Sequence, residues 1–187
     1  HLPQYRRARQ HAMNDLIRET TGGTPQLTDS DGLNEATLVA SQLNYKLGSL
    51  PLVGGNSFTL HNDNHEAMRI MAQEVNKAQR YVHFEFYITA YDEASKVLWD
   101  ALFAAQKRGV RVRVLIDHIG SRKYPSYRQL TKMLNESGIE WRLMLPIKPW
   151  RLQWQRPDLR NHRKVLVIDG AVAFSGSQNA IHRSYDL

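Results

Sequence analysis

The sequence predicts an α/β fold, a mixed sheet flanked by helices. Two observations carry the expectation. From Ser57 onward, short β-branched and aromatic runs alternate with longer stretches whose apolar residues recur at helical spacing. Strands and helices in that order imply βαβ units.

The elements follow in chain order. Residues 4–19 are polar and basic and read as a surface helix. Thr21-Gly-Gly-Thr-Pro25 and Asp29-Ser-Asp-Gly32 punctuate the chain. Leu33, Ala36, Leu43 and Leu47 then mark a second helix, stopped by Gly48 and Pro51. This makes residues 1–54 a basic, helical extension and residues 55–187 the main domain. Phe58 and Leu60 read as a short strand. Asp63 or Asn64 caps a helix carrying Ala67, Met68, Met71, Val75 and Ala78 on one face. Tyr81 to Ile88 has strand composition. Asp92 caps the next helix, whose stripe from Ala94 to Ala105 ends at Gly109. Val110 to Ile116 alternates and then runs apolar, as a strand entering a buried sheet does. A helix near 126–137 ends at Gly138, and Ile139 to Leu145 offers another strand. Val165 to Ile168 is a short strand, with a second one just downstream.

Composition narrows the function. The chain has 187 residues and a formal charge of +7, with ordinary globular proportions of apolar and charged residues. It contains no cysteine, which excludes disulfides, thiolate zinc sites and a cysteine nucleophile. No apolar run is long enough to span a bilayer, and no signal peptide opens the chain. The acidic residues show no calcium or zinc spacing, so neither metal nor cofactor is expected. From Trp141 to Ile168 there are seven basic residues (Arg142, Lys148, Arg151, Arg156, Arg160, Arg163, Lys164) against Asp158 alone, together with Trp141, Trp150 and Trp154. Such a stretch points to an anionic partner, either nucleic acid or a phospholipid surface.

The chemistry sits at the end of that stretch. His162 and Lys164 are two residues apart just before a strand, so period-2 geometry puts both side chains on one side. That pairing suits a phosphate: the lysine neutralises oxygens while the imidazole attacks phosphorus or moves a proton. Gly176-Ser177-Gln178-Asn179 follows the next strand, where a glycine turn brings a hydroxyl and a carboxamide toward the same oxygens.

His162-x-Lys164-x4-Asp169 with Gly176-Ser177-x-Asn179 resembles the HKD motif of the phospholipase D superfamily. The wider match, through Gly55-Asn56, His83 to Ile88, Gly109 to Asp117, Gly120-Ser121 and Arg160 to Lys164, resembles the N-terminal half of bacterial cardiolipin synthases. The resemblance implies a phospholipase D-like half and a metal-independent transfer through a covalent phosphohistidine. His162 is then the nucleophile, with Lys164 and Asp169 completing the catalytic set and Asp169 in a structural or orienting role. Ser177 and Asn179 are the implied phosphate-binding residues. Glu85, at a position where the family often carries an acid, is grouped with them.

Cardiolipin synthases carry two such motifs, and none of the other histidines here has a lysine two residues on. The chain is therefore expected to be the first half of a longer enzyme, inactive alone; the alternative is a phosphodiesterase nuclease that pairs two copies of the motif. The expected partners are an anionic phospholipid substrate and its membrane surface, and a C-terminal half or second copy. Nucleic acid is the lesser expectation. The implied location is a bacterial cell membrane, with the family's membrane helices outside this sequence.

Overall fold

The computed structural model describes residues 4–21, 32–48, 53–124, 126–147, 150, 158 and 160–186. The chain divides into two compact units, His1–Thr59 and Leu60–Leu187. The first holds two helices, α1 (Gln4–Thr21) and α2 (Glu35–Gly48). The Asn34 carboxamide accepts the Thr37 N–H at 2.9 Å, as a residue preceding a helix does at its first turn.

The second unit runs α3 (Asn64–Lys77), β1 (Tyr81–Phe86), α4 (Lys96–Lys107), β2 (Arg111–Asp117), α5 (His118–Arg122), α6 (Tyr127–Glu136), β3 (Glu140–Met144), β4 (Lys164–Ile168) and β5 (Val172–Ser175). Asp63 caps α3, its carboxylate accepting the Glu66 N–H at 2.7 Å. At the other end of α3 the Arg108 guanidinium donates to the Val75 and Asn76 carbonyls. Asp92 gathers the N–H groups of Ala94 and Ser95 one turn before α4 begins.

The strands form one mixed sheet in the order β3-β2-β1-β4-β5. β1, β2 and β3 are parallel neighbours, joined by helical crossovers; β4 and β5 add antiparallel. Strand alternation divides the two faces. Val82, Phe84, Phe86, Val112, Val114, Ile116, Leu166 and Ile168 are buried together with Met68, Val75, Leu98, Trp99 and Leu102 of α3 and α4, and with Leu130 and Leu134 of α6. Phe84 stacks on Phe86 with ring centroids 4.4 Å apart and packs at a tilt of 49° against Trp99, 4.9 Å away. The opposite face carries His83, Glu85, Arg113, Leu115, Glu140 and Arg142, which line an open depression of about 370 Å³.

Two expectations need correcting, and one element had no sequence signal. Phe58 and Leu60 lie outside any strand. β1 ends at Phe86, before Ile88, because the chain turns away to pair with the loop at Asn179–Ala180. The segment after β2 holds a short helix, α5, too brief to show an apolar period; Asp117 caps it by accepting the Ile119 and Gly120 N–H groups.

Candidate active site

The elements deliver His162, Lys164, Ser177 and Asn179, but not Asp169, to one end of the sheet. The parallel strands β1, β2 and β3 end where β4 begins and β5 ends, because Lys164 pairs with Phe86 and Val165 with Ser175. From Ser175 the chain crosses back over the start of β4 and bridges Ala180 to Thr89, beyond the end of β1. The Gly176–Asn179 loop therefore arches over the strand end that carries His162 and Lys164.

Lys164 shares the helix-side face with Leu166 and Ile168, as alternation requires. Its ammonium donates to the His162 carbonyl at 2.7 Å and lies 5.5 Å from the centroid of the Tyr87 ring. Partial burial holds that ammonium below the usual lysine range. The His162 imidazole stacks on the same ring, with centroids 3.9 Å apart and planes inclined at 17°. His162 is exposed, and among the described residues neither of its ring nitrogens has a hydrogen-bond partner.

The chain on either side of His162 is tightly held. Arg160 is buried, and its guanidinium forms a fork onto the Asp117 carboxylate at 2.7 to 3.2 Å. Its remaining donors reach the Leu145 and Met144 carbonyls at the end of β3. Asn161 donates to the Glu85 carboxylate at 2.8 Å and accepts the Arg163 N–H at 3.1 Å. The Arg163 carbonyl accepts the Tyr87 N–H, which carries the β1–β4 ladder one step further.

Asp169 lies at the other end of β4. Its carboxylate accepts the backbone N–H groups of Gln79, Arg80 and Tyr81, each at 2.8 Å, while Arg80 donates to its carbonyl. These backbone bonds hold its carboxyl below the usual range. Asp169 and Gly170 both take positive φ, 54° and 74°, as a tight hairpin turn asks of Asp-Gly. Asp169 lies five positions beyond Lys164, about 16 Å at the rise of an extended chain. Glu85 alternates onto the face opposite Lys164 and is joined to the His162 end through Asn161. Asn179 is buried, its carboxamide oxygen accepting the Ile88 N–H at 3.2 Å. Ser177 is exposed at the crest of the loop.

Part of the basic stretch leaves the surface. Arg160 is neutralised internally by Asp117, and Trp141 packs against the core with its indole N–H donating to Asn135. Trp150 is 73% exposed, and Arg142 is exposed as well. Lys148, Arg151, Trp154 and Arg156 lie outside the described residues. Asp117 and His118 read from the sequence as a ligand-side strand end. In the fold the Asp117 carboxylate holds Arg160 and the His118 ring accepts the Ile147 N–H at 3.1 Å. Tyr87 carries no site role in the sequence reading; its signal there is its place in the His83 to Ile88 run that resembles the family. Among the described residues no three His, Asp or Glu side chains converge as a metal site.

A mixed sheet presenting a His-x-Lys pair beneath a Gly-Ser-x-Asn loop defines a phospholipase D-like domain. The chain belongs to the family described as "Cardiolipin synthase, PLD-like domain", whose model matches residues 71–187. It is similar to a cardiolipin synthase of Geobacillus sp. (strain WCH70), 33% identical over 140 residues, 74% of this chain and 27% of the relative. It is also similar to the major cardiolipin synthase of Bacillus subtilis (strain 168), 35% identical over 126 residues, 66% of this chain and 25% of the relative. The chain thus spans about a quarter of the length of the curated relatives it matches. Among solved structures it is similar to Nuc of Salmonella typhimurium, a phospholipase D family member, with a TM-score of 0.46 and 23% identity, covering 60% of this chain and 64% of that one.

Proposed function

We propose that this domain supplies the nucleophilic half of a cardiolipin synthase-type phosphatidyltransferase. A ring nitrogen of His162 attacks the phosphorus of a phospholipid diester. The N–P bond forms as the bond to the leaving alcohol breaks, and the departing oxygen takes a proton from a second acid. The incoming alcohol then gives a proton to that same group and displaces the histidine, regenerating it. No second His-x-Lys lies in this sequence, so the acid–base partner comes from another half or a second copy of the chain. Lys164 neutralises the non-bridging oxygens, with Ser177 and Asn179 on the loop above as further phosphate contacts. The substrate is an anionic phospholipid at a bacterial membrane surface, met by the exposed Trp150 and Arg142. No described helix is long and apolar enough to cross a membrane.

The observation that carries the reading is the His162 ring: held by one face, beside the Lys164 ammonium, with both nitrogens open. The test is to incubate the full gene product with phosphatidylglycerol vesicles and separate the lipids. Cardiolipin and glycerol are expected, and His162→Ala is expected to abolish both. Cardiolipin formation that survives His162→Ala overturns the assignment.

A further inference from the structure

We propose that Tyr87 is a positioning residue for His162, a shelf that holds the imidazole in its attacking orientation. The proposal rests on the nucleophile reading above and adds a residue to it. The argument begins with what stacking leaves free. An imidazole donates and accepts hydrogen bonds in its own plane, so a partner on its face occupies neither nitrogen. At 3.9 Å between centroids and 17° between planes, Tyr87 touches only that face. It restrains rotation of an otherwise exposed side chain and keeps both nitrogens available, one for phosphorus and one for a proton. The Lys164 ammonium, 5.5 Å from the same centroid, is registered to the same ring. One aromatic surface therefore sets the relative placement of nucleophile and phosphate-binding cation, and relative placement is where the advantage of an intramolecular attack resides.

Tyr87 is itself over-determined. Its N–H is bound to the Arg163 carbonyl, and the next residue, Ile88, is bound to Asn179. Gly120 presses on it from α5. A Cβ at Gly120 would lie 2.5 Å from the Tyr87 carbonyl oxygen and 3.0 Å from its ring, so only glycine lets the ring rest where it does. The Ser121 hydroxyl accepts the Thr89 N–H and fixes the strap beyond. The Gly120-Ser121 pair thus serves the shelf from outside the His-x-Lys motif.

The test treats the 187-residue chain with potassium phosphoramidate, a small phosphoryl donor. A histidine nitrogen forms a bond to phosphorus as the bond between phosphorus and the ammonia nitrogen breaks. Mass spectrometry then compares the rate at His162 with that at exposed His11 in the same molecules, and NMR ring-current shifts report the stack. The wild type is expected to phosphorylate His162 faster than His11, with upfield-shifted His162 ring protons. Tyr87→Phe keeps both properties. Tyr87→Leu loses the shift, and its rate ratio falls roughly tenfold to a hundredfold. Gly120→Ala, which keeps the tyrosine and displaces it, lowers the ratio in the same direction and stands in should Tyr87→Leu fail to fold. A wild type with no preference for His162 overturns the nucleophile reading and the shelf with it. A wild-type preference that survives in folded Tyr87→Leu, or in Gly120→Ala where Tyr87→Leu does not fold, overturns the shelf alone.

Discussion

The two ends of β4 differ in how completely their side chains are engaged. At the far end Asp169 takes three backbone N–H groups from the turn that precedes β1 and ties the β4–β5 hairpin to that turn. At the near end His162 has an aromatic ring against one face and no hydrogen bond to either nitrogen among the described residues. Satisfied polar groups add to stability, and a polar group left open at a held position is available for chemistry. The histidine, lysine and aspartate of one short motif therefore differ: Asp169 is engaged by the fold, while at the Lys164 end of β4 the His162 ring keeps both nitrogens open among the described residues.

Several changes break or sharpen that contrast. The largest effect falls at the near end, on the group that holds its backbone. Asp117→Ala leaves the buried Arg160 guanidinium unpaired, and urea denaturation is expected to show a loss of about 3–5 kcal/mol. This bounds the contrast: the near end is open at His162 and depends on a closed clamp two residues before it. Gly120→Ala comes next. Overpacking against the Tyr87 backbone and ring is expected to cost about 1–3 kcal/mol by the same measurement.

Asp169→Asn should cost less than Asp117→Ala, because one carboxamide oxygen still serves Arg80 and Tyr81 while an NH2 turns on the Gln79 N–H. The expected signs are a lower Tm and a flatter acid limb. Because the folded Asp169 carboxyl is held below its ordinary value of 3.8, the wild type binds fewer protons there than its unfolded chain does. Its contribution is present above that value and is lost as pH falls through the lower folded one. Thermal melts from about pH 7 to about pH 2 should therefore show a steeper acid loss in the wild type than in Asp169→Asn. His162→Gln is the smallest change to stability, expected within about 0.5 kcal/mol of wild type for an exposed side chain, although it removes the proposed nucleophile. A large loss in His162→Gln would show that the near end is structural after all and would erase the contrast.

Much of this was legible in residues with strong local signals. Asp63 before the Ala67–Val75 stripe marked α3 and its cap, and the alternation from Val110 marked β2 within a residue or two. The spacing of His162 and Lys164 placed both at one strand entrance, where the fold gathers them around one ring. Other features had no local signal. Arg160 looked like one more cation of a basic loop, because its partner Asp117 is forty-three positions away. Asp169 satisfies N–H groups that lie up to ninety positions upstream. α5 is only five residues long, too short for any periodicity to emerge.

By itself, then, the sequence determined the kinds of element, their order and the pair of residues suited to phosphate. Those depend on interactions within a few residues: strand alternation, helical stripes and caps. Tertiary structure alone decided which polar groups would be satisfied and which left open, because that turns on partners brought together from distant parts of the chain. Asp117 meets Arg160, Asn179 meets Ile88 and Tyr87 meets His162 only once the sheet has formed.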